Sequence, residues 1–244
     1  MQIRRFYVNP CDIIGNTVKI SGGEFHHLKD VLRLKVGFDI IVCANDGFDR
    51  YCKITEIAKD FAAARVEKKV EREKKNLRLR LYCALLKNNK LDFVVQKAVE
   101  LGVDEIVPFV SKNTSETKFN LERAQKIALE AAKQCGSASL TKIFEPCAFD
   151  DILTQFSEFD SVVMPYENER ENALSLELFD SSNGGLKSVA LIIGSEGGFT
   201  QDEVEKAKNQ GIKTVSLGKR ILRADTASIV AAALVLFLTG ELRP

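Results

Sequence analysis

The sequence lacks an apolar stretch long enough to cross a membrane. Its most apolar run, residues 229–238, is far shorter than the roughly 20 residues that a membrane-spanning helix needs, and we interpret it as a buried helix. The first residues form neither an Arg-rich leader nor an apolar signal region, because they run directly into the strand-like segment Phe6-Tyr7-Val8. These absences predict a cytoplasmic protein.

Metal-ligand spacing is also lacking. The six cysteines, at positions 11, 43, 52, 83, 135 and 147, include no CxxC pair and have no histidine cluster near them. A cytoplasmic chain with scattered cysteines is expected to keep them reduced and partly buried. We therefore expect no metal site.

The chain has no strong net charge either. Its 244 residues carry a formal charge of +1, with 45% hydrophobic and 28% charged residues, which is ordinary for a globular protein of one large or two small domains. The distribution of charge is more informative, because residues 65–80 hold eight basic and three acidic side chains. This run is either a solvated connector between domains or a surface that contacts phosphates, whose binding would weaken steeply with salt.

The N-terminal third has the pattern of a small β-rich domain. Short strands are predicted over 3–8, 17–20, 38–43, 50–57 and 61–70, with a helix over 24–32. Asn45-Asp46-Gly47 is a typical hairpin turn. Several short strands with one helix suggest a small barrel, a fold that often binds RNA.

The remainder alternates strands and helices. We place the boundary near residues 71–76, which gives domains of residues 1–72 and 73–244. A strand over 77–86, a helix capped by Asn88 or Asn89 and ending at Gly102, and a strand over 103–110 form a βαβ unit. The predicted fold class is therefore α/β, with a C-terminal parallel sheet.

Two glycine-containing loops organise this second domain. The first follows the apolar run Val189–Ile193 and leads to Thr200 and Glu203, a capping box for a helix that ends near Gln210 with Gly211 as its left-handed cap. The second follows a strand over 212–217 and leads into the last helix, for which Asp225 and Thr226 are the candidate N-caps. Loops at strand ends are where open α/β sheets bind ligands, although tight turns alone would explain the glycines equally well.

The pair of loops, GSEGGF at 194–199 and LGKRILRADTA at 217–227, closely resembles the cofactor-binding signature of SPOUT RNA methyltransferases. Within them the chain resembles the bacterial branch that methylates N3 of a uridine in 16S ribosomal RNA. Three further segments carry this resemblance: HHLKDVLRLKVG, KNNKLDFVVQKAVELGVDEIVPFVSKNT and EAAKQCG. It covers nearly the whole chain.

The resemblance implies a deep trefoil knot in the C-terminal domain, a PUA-like RNA-binding barrel at the N-terminus, and a homodimer whose active site forms when two knots meet. It also implies S-adenosylmethionine as cofactor and 16S RNA as substrate; we expect that RNA within the assembled 30S subunit, while free RNA stays an alternative. The implied cofactor-binding residues are Pro165, Gly194, Ser195, Glu196, Gly197, Gly198, Leu217, Gly218, Ile221, Leu222 and Thr226. The implied RNA-binding residues are Arg4, Arg5, Arg33 and Lys35, to which the basic run adds Lys68 and Lys69.

Uracil N3 carries a proton that must leave before the nitrogen can accept a methyl group. Cationic donors close to the base would stabilise the anion that forms, and Arg220 and Arg223 of the second loop are the candidate catalytic residues. An equally acceptable interpretation is that one of them pairs with Glu196 or Asp225 to hold the loops together. No residue is identified as a general base.

The chain departs from the family pattern at three positions. Ser195 stands where relatives usually have proline, Asp225 where they have glutamate, and Ser137 where many have arginine. The first two bear on the geometry of the loops, and the third on an RNA contact.

Three other functions stay open at this level. The first is methylation of a transfer RNA or of another ribosomal base. The second is nucleotide or dinucleotide binding, against which the chain has neither GxGxxG nor GxxxxGK[ST]. The third is a noncatalytic RNA-binding module that kept both loops.

Overall fold

In a computed structural model of the chain, the described residues are 3–72, 75–137, 139–179 and 186–242. By its internal contacts the chain divides into two compact units. One comprises residues 1–74 with 132–140, and the other comprises residues 75–131 with 141–244.

The first unit contains a six-stranded sheet in the order β1-β4-β5-β6-β3-β2. Its strands are β1 (Arg4–Tyr7), β2 (Ile13–Ile14), β3 (Thr17–Ser21), β4 (Asp39–Cys43), β5 (Phe48–Ile57) and β6 (Phe61–Glu71). Helix α1 (Gly22–His26) continues into a π-helical turn, His27–Val31. Alternate strand residues such as Val18, Ile20 and Ile40 are fully buried in one core. The β-rich domain is confirmed, as is the hairpin, where Asn45 and Gly47 have positive φ.

The basic run 65–80 is a solvated connector at most in its second half, of which residues 73 and 74 lie outside the described part of the chain. Residues up to Glu71 belong to β6, so that interpretation is wrong for the first half of the run. In the second half, Arg72 pairs with Asp49 at 2.7 Å and Lys75 with Asp104 at 2.9 Å. Further along, Arg80 pairs with Glu105 at 2.7 Å. Folding therefore uses much of this charge within the protein.

The second unit is the predicted α/β unit. Its strands are β7 (Arg78–Ala84), β8 (Glu105–Val110), β9 (Lys142–Ile143), β10 (Cys147–Ala148), β11 (Ser161–Pro165), β12 (Ser188–Ile193) and β13 (Lys213–Val215). Its helices are α2 (Lys90–Leu101), α3 (Leu121–Cys135, whose last residues group with the first unit), α4 (Phe149–Leu153), α5 (Gln201–Asn209) and α6 (Ala224–Leu238). The strand order is β10-β8-β7-β12-β11-β13, with β9 beside β8, and every pair is parallel.

Helix boundaries follow the local signals where a side chain makes the cap. Thr200 Oγ1 accepts from Glu203 N at 3.4 Å, which confirms the capping box, and Gly211 has φ +77° after α5. Asn89 occupies the position before α2 but makes no capping bond, because it adopts the left-handed conformation, φ 58°, instead of the extended one of an N-cap.

The predicted cap of α6 at Asp225 or Thr226 is wrong. The amide of Ala227 donates to the carbonyl of Arg223 at 2.7 Å, so helical hydrogen bonding begins earlier and both residues lie inside the first turn. The helix packs on α2, β7 and β12. It buries Ala231, Ala232, Val235 and Leu236 but leaves Leu234 and Phe237 exposed by 37% and 54%.

All six cysteines are free. Cys43, Cys52 and Cys83 are buried, whereas Cys11 and Cys135 are exposed. In the part of the chain that the structure describes, no helix combines the length and the apolar character that a membrane crossing requires.

Candidate active site

A cavity of about 500 Å³ lies at the carboxyl ends of β11, β12 and β13, which are neighbours in the sheet. The loops that follow these three strands form its walls, and Lys90, Ala224 and Ala227 complete it from the first turns of α2 and α6. A large cavity at the carboxyl edge of a parallel sheet is the usual ligand site of such folds.

The cavity brings together most of the site residues that the sequence predicted. All the predicted cofactor-binding residues except Thr226 line it, namely Pro165, Gly194, Ser195, Glu196, Gly197, Gly198, Leu217, Gly218, Ile221 and Leu222. Arg220 and Arg223 line it as well. Thr226 is exposed on α6 and does not contribute to the wall.

The three glycines of the first loop, residues 194–198, are packed too closely against the protein for a side chain. A Cβ on Gly194 would stand 2.9 Å from the ring of Phe199, and one on Gly197 would stand 2.9 Å from the Cβ of Asn113. Gly198 has φ +64°, and a Cβ there would collide with the carboxylate of Glu167. The loop thus needs its glycines for packing as well as for any ligand's approach.

Asn113, in the segment after β8, clamps this loop by two hydrogen bonds. The hydroxyl of Ser195 donates to the carbonyl of Asn113 at 3.1 Å, and Asn113 Nδ2 donates to the carbonyl of Gly197 at 3.0 Å. Ser195, 6% exposed, therefore has a defined role although relatives usually have proline there.

Glu203 extends the clamp beyond its capping box. Its carboxylate accepts from Thr200 N at 2.9 Å and, through the other oxygen, from Lys112 N at 2.8 Å. Phe199, between Gly198 and Thr200, stacks on Phe109 with ring centroids 6.4 Å apart. The first loop is thereby fixed at both ends.

Glu196 pairs with Lys90, not with an arginine of the second loop. The Lys90 Nζ lies 2.8 Å from Glu196 Oε1, which also accepts from the amide of Lys87 at 3.3 Å. Burial alone would raise the pKa of Glu196, but the bond from Lys90 and the neighbouring amides hold it below its usual range. The interpretation that Arg220 or Arg223 pairs with Glu196 is therefore wrong.

The guanidinium groups of Arg220 and Arg223 are exposed and make no ion pair with any described residue. Asp225, the other suggested partner, has its Oδ1 atom buried without a hydrogen-bond partner in the described chain. In this second loop, residues 217–223, Ser216 supplies the local anchor: its hydroxyl accepts from Gly218 N at 3.3 Å.

The third wall, after β11, contains residues that the sequence did not single out: Tyr166, Glu167 and Arg170. Glu169, 9% exposed, holds this wall against β13, because its carboxylate accepts from Thr214 Oγ1 at 2.7 Å. The Thr214 bond, together with neighbouring amides, outweighs the effect of burial and lowers the pKa of Glu169 to about 2. The position of a polar segment directly after a parallel strand was the available signal.

The residues predicted to bind RNA all lie in the first unit. Arg4, Arg33, Lys35, Lys68 and Lys69 are exposed, and the Nζ of Lys69 stands 3.7 Å from the centroid of the Phe48 ring. Arg5 differs, because its side chain is 8% exposed and donates to Asp49 Oδ2 at 2.9 Å. Its guanidinium is thus engaged within the protein.

Two family models match the chain, an RNA methyltransferase domain over residues 73–236 and an RNA methyltransferase PUA domain over residues 20–67. Ribosomal RNA small subunit methyltransferase E of Bacillus subtilis is 32% identical over 238 residues, 93% of this chain and 92% of that protein. The protein of the same name from Rickettsia conorii is 30% identical over 240 residues, 98% of this chain and 97% of that one.

Solved structures agree with these matches. The crystal structure of ribosomal RNA small subunit methyltransferase E from Neisseria gonorrhoeae bound to S-adenosyl methionine aligns with a TM-score of 0.82 at 27% identity, over 97% of this chain and 98% of that one. The RNA methyltransferase model covers residues 73–236, which include the parallel sheet and the cavity at its carboxyl edge. The chain is therefore an RNA methyltransferase. Within that class, the chain belongs to the ribosomal RNA small subunit methyltransferase E family.

Proposed function

We propose that the protein transfers a methyl group from S-adenosylmethionine to N3 of a uridine in 16S ribosomal RNA. The observation that carries this proposal is that both signature loops line one cavity, with Arg220 and Arg223 on the same cavity as the glycine loop. The names of the bacterial relatives support the ribosomal substrate, the gonococcal structure supports the cofactor, and the sequence resemblance supports N3.

The residues present fit that cofactor. A cavity of about 500 Å³ is in the usual range for a nucleoside-sized ligand. Ile193, Leu217 and Leu222 offer an apolar slot, and the backbone of the glycine loop, which lines the cavity, offers polar groups to hydroxyl and amino groups. S-adenosylmethionine, when bound, supplies an electrophilic methyl group.

The protein's own contribution is orientation and charge. Displacement at a methyl carbon needs an in-line approach, so rigid placement of the reactants supplies much of the acceleration. The clamp formed by Asn113 and Glu203 gives the first loop that rigidity. Arg220 and Arg223, free of ion pairs with described residues, offer positive charge to a uracil that loses its N3 proton.

We also propose a homodimer. Ile221, Leu234 and Phe237 are exposed by 76%, 37% and 54% on and just before α6, and Phe93 on the neighbouring α2 is exposed by 47%. Apolar side chains that two neighbouring helices leave exposed are suited to burial in a protein interface. The mass of the protein in solution, measured by light scattering during size-exclusion chromatography, tests it, and a monomer at micromolar concentration would contradict it.

The remaining family features enter the proposal together. They are the trefoil knot in the C-terminal domain, the domains 1–72 and 73–244, action on the assembled 30S subunit in the cytoplasm, and RNA contacts by the exposed Arg4, Arg33, Lys35, Lys68 and Lys69. Arg5 is left out of the RNA surface because of its ion pair with Asp49.

The decisive experiment incubates 30S subunits from a strain that lacks this gene with purified protein and labelled S-adenosylmethionine. We expect the label in 16S RNA as 3-methyluridine, identified by mass spectrometry of the nucleosides. If calorimetry shows that the protein binds the cofactor but no label enters 16S RNA, the proposed substrate is wrong and another RNA is the target. No cofactor binding would refute the methyltransferase assignment.

A further inference from the structure

Arg170 is a third arginine on the cavity wall, outside both glycine loops. Building on the proposed function, we propose that Arg170 binds an oxyanion of the reacting complex and that Glu169 is its positioning residue. The oxyanion is either an RNA phosphate next to the target nucleotide or the carboxylate of the cofactor.

Glu169 organises the segment that carries Arg170. One carboxylate oxygen accepts from the amides of Arg170, Glu171 and Asn172 at 3.1, 3.0 and 3.3 Å. The other accepts from Thr214 Oγ1 on β13. A single buried carboxylate therefore closes a tight turn directly at Arg170 and fixes that turn to the sheet.

A second set of bonds joins the same segment to the end of β13. The amide of Ser216 donates to the carbonyl of Asn172 at 2.7 Å, and the amide of Tyr166 donates to the carbonyl of Val215 at 2.9 Å. Ser216 leads into the second loop, which carries Arg220 and Arg223. These backbone hydrogen bonds thus join the segment that carries Arg170 to the segment that carries Arg220 and Arg223.

The charge of the wall points to an anion. Among the charged residues that line the cavity, Lys90 and Glu196 neutralise each other. The other charged residues on the wall are one carboxylate, Glu167, and three arginines, at positions 170, 220 and 223. The wall therefore carries an excess of positive charge. S-adenosylmethionine is itself cationic at its sulfonium and ammonium groups, so this excess does not suit the cofactor as a whole. It suits a phosphate or a single carboxylate, which a guanidinium binds by paired hydrogen bonds.

No described residue neutralises the guanidinium of Arg170. Its side chain is exposed and makes no ion pair or side-chain hydrogen bond with a described residue. By contrast, Arg80 of the same unit is buried and paired with Glu105. Arg170 has the features of a residue whose partner is a ligand.

The test uses the full-length Arg170→Gln variant, with Lys219→Gln as the matched control. Lys219 is exposed and basic, and it lies next to Arg220 but does not line the cavity. Three affinities are measured for each protein: for 30S subunits at several salt concentrations, for S-adenosylmethionine, and for methylthioadenosine, which lacks the amino-acid carboxylate.

If the oxyanion is a phosphate, Arg170→Gln weakens subunit binding by about tenfold and lowers the salt slope by about one, with both small-ligand affinities unchanged. If it is the carboxylate, S-adenosylmethionine binds about tenfold more weakly and methylthioadenosine as before. No change in any affinity, or the same change in Lys219→Gln, overturns the proposal. A wild-type chain that fails to bind S-adenosylmethionine refutes the proposed function, while the subunit-binding comparison still decides on Arg170.

The positioning role of Glu169 is tested by combining substitutions. Glu169→Ala should reproduce the affinity loss of Arg170→Gln, Glu169→Gln should retain most of the affinity, and the double variant should be no weaker than Arg170→Gln alone, because residues that act as one unit are not additive. An additive loss, or an equal loss of methylthioadenosine affinity in Glu169→Ala, would show that Glu169 only supports the fold.

Discussion

The two signature loops of the cavity differ in what holds them. The loop 194–198 is fixed from several sides, by Asn113, by the Glu203 capping box and by Lys90. The loop 217–223 has a local bond from Ser216 and presents Arg220, Ile221 and Arg223 to solvent. Both loops follow parallel strands and both contain glycine, so sequence patterns alone would treat them as equivalent.

The difference suggests a division of labour. A loop whose polar groups are satisfied within the protein keeps its shape without ligand, which suits the recognition of a small cofactor. A loop whose cations and apolar side chains lack protein partners among the described residues is suited to a macromolecule that supplies them. Substitutions that remove the anchors of the first loop should therefore affect folding, and those of the exposed arginines of the second loop should affect function alone.

Glu203→Ala should have the largest effect on stability. The alanine removes the capping box and leaves the amide of Lys112 without its acceptor, so we expect the free energy of unfolding to fall by about 3 kcal/mol. Urea denaturation measures it. The neighbouring Asp202→Ala is the control, because Asp202 has a side chain that is 78% exposed. Equal losses in the two variants would contradict the clamp.

Gly194→Ala should have the next largest effect. Its new Cβ would press on the Phe199 ring, at an expected cost of about 2 kcal/mol from overpacking. Gly218→Ala, where a Cβ meets nothing within 4 Å but φ is +121°, should lose about 1 kcal/mol from backbone strain. Combining each with Phe199→Leu distinguishes the causes, since the smaller side chain should relieve only Gly194→Ala. Relief of both variants, or of neither, would be inconsistent with this packing.

A smaller effect on the free energy of unfolding is expected when the pH is lowered. Glu169 has a folded pKa of about 2 against an ordinary value of 4.5. A carboxyl whose pKa is lowered by folding contributes stability above its unfolded pKa and loses it as the pH falls through the folded pKa. The difference in unfolding free energy between wild type and Glu169→Gln should therefore shrink from pH 5 to about pH 2. Glu171→Gln, at an exposed neighbour, is measured beside it as the control, and a constant difference for Glu169→Gln would argue against the assigned pKa.

The smallest effects on stability are expected in the second loop. Arg220→Gln and Arg223→Gln should change the free energy of unfolding by less than about 0.5 kcal/mol, because neither side chain has an ion pair with a described residue. Methyl transfer to 30S subunits should nevertheless fall by about a hundredfold in at least one of them. Lys219→Gln serves again as the control. Unchanged transfer in both arginine variants would exclude them from catalysis.

The features that the sequence predicted are those set by neighbouring residues. The Thr200 and Glu203 capping box, the turn at Asn45-Asp46-Gly47 and the apolar strand before Gly194 each depend on a few consecutive side chains. The two signature loops were predicted from the family resemblance, and the parallel orientation of the strands in the second unit from the βαβ pattern.

The contacts that the sequence did not predict join distant parts of the chain. Asn113 and Gly197, Lys90 and Glu196, and Glu169 and Thr214 are separated by 84, 106 and 45 residues. No local pattern pairs them. The start of α6 was misplaced for a different reason, since the backbone carbonyl of Arg223, not a side chain, begins the helix. Asn89 shows the converse, a residue type that favours caps in a conformation that prevents one.

The buried thiol of Cys83 allows the rate of local opening in the second unit to be measured. Its Sγ lies 3.6 Å from Ser228 Oγ under α6, and burial raises its pKa to about 12. Only the thiolate reacts with a maleimide, so at neutral pH the reagent should modify the exposed Cys11 and Cys135 quickly and Cys83 only when α6 lifts from β7. In a variant in which Cys43, Cys52 and Cys147 are replaced by alanine, the slow phase of labelling then reports the rate of that opening, and a ligand that binds across the first turn of α6 should retard it.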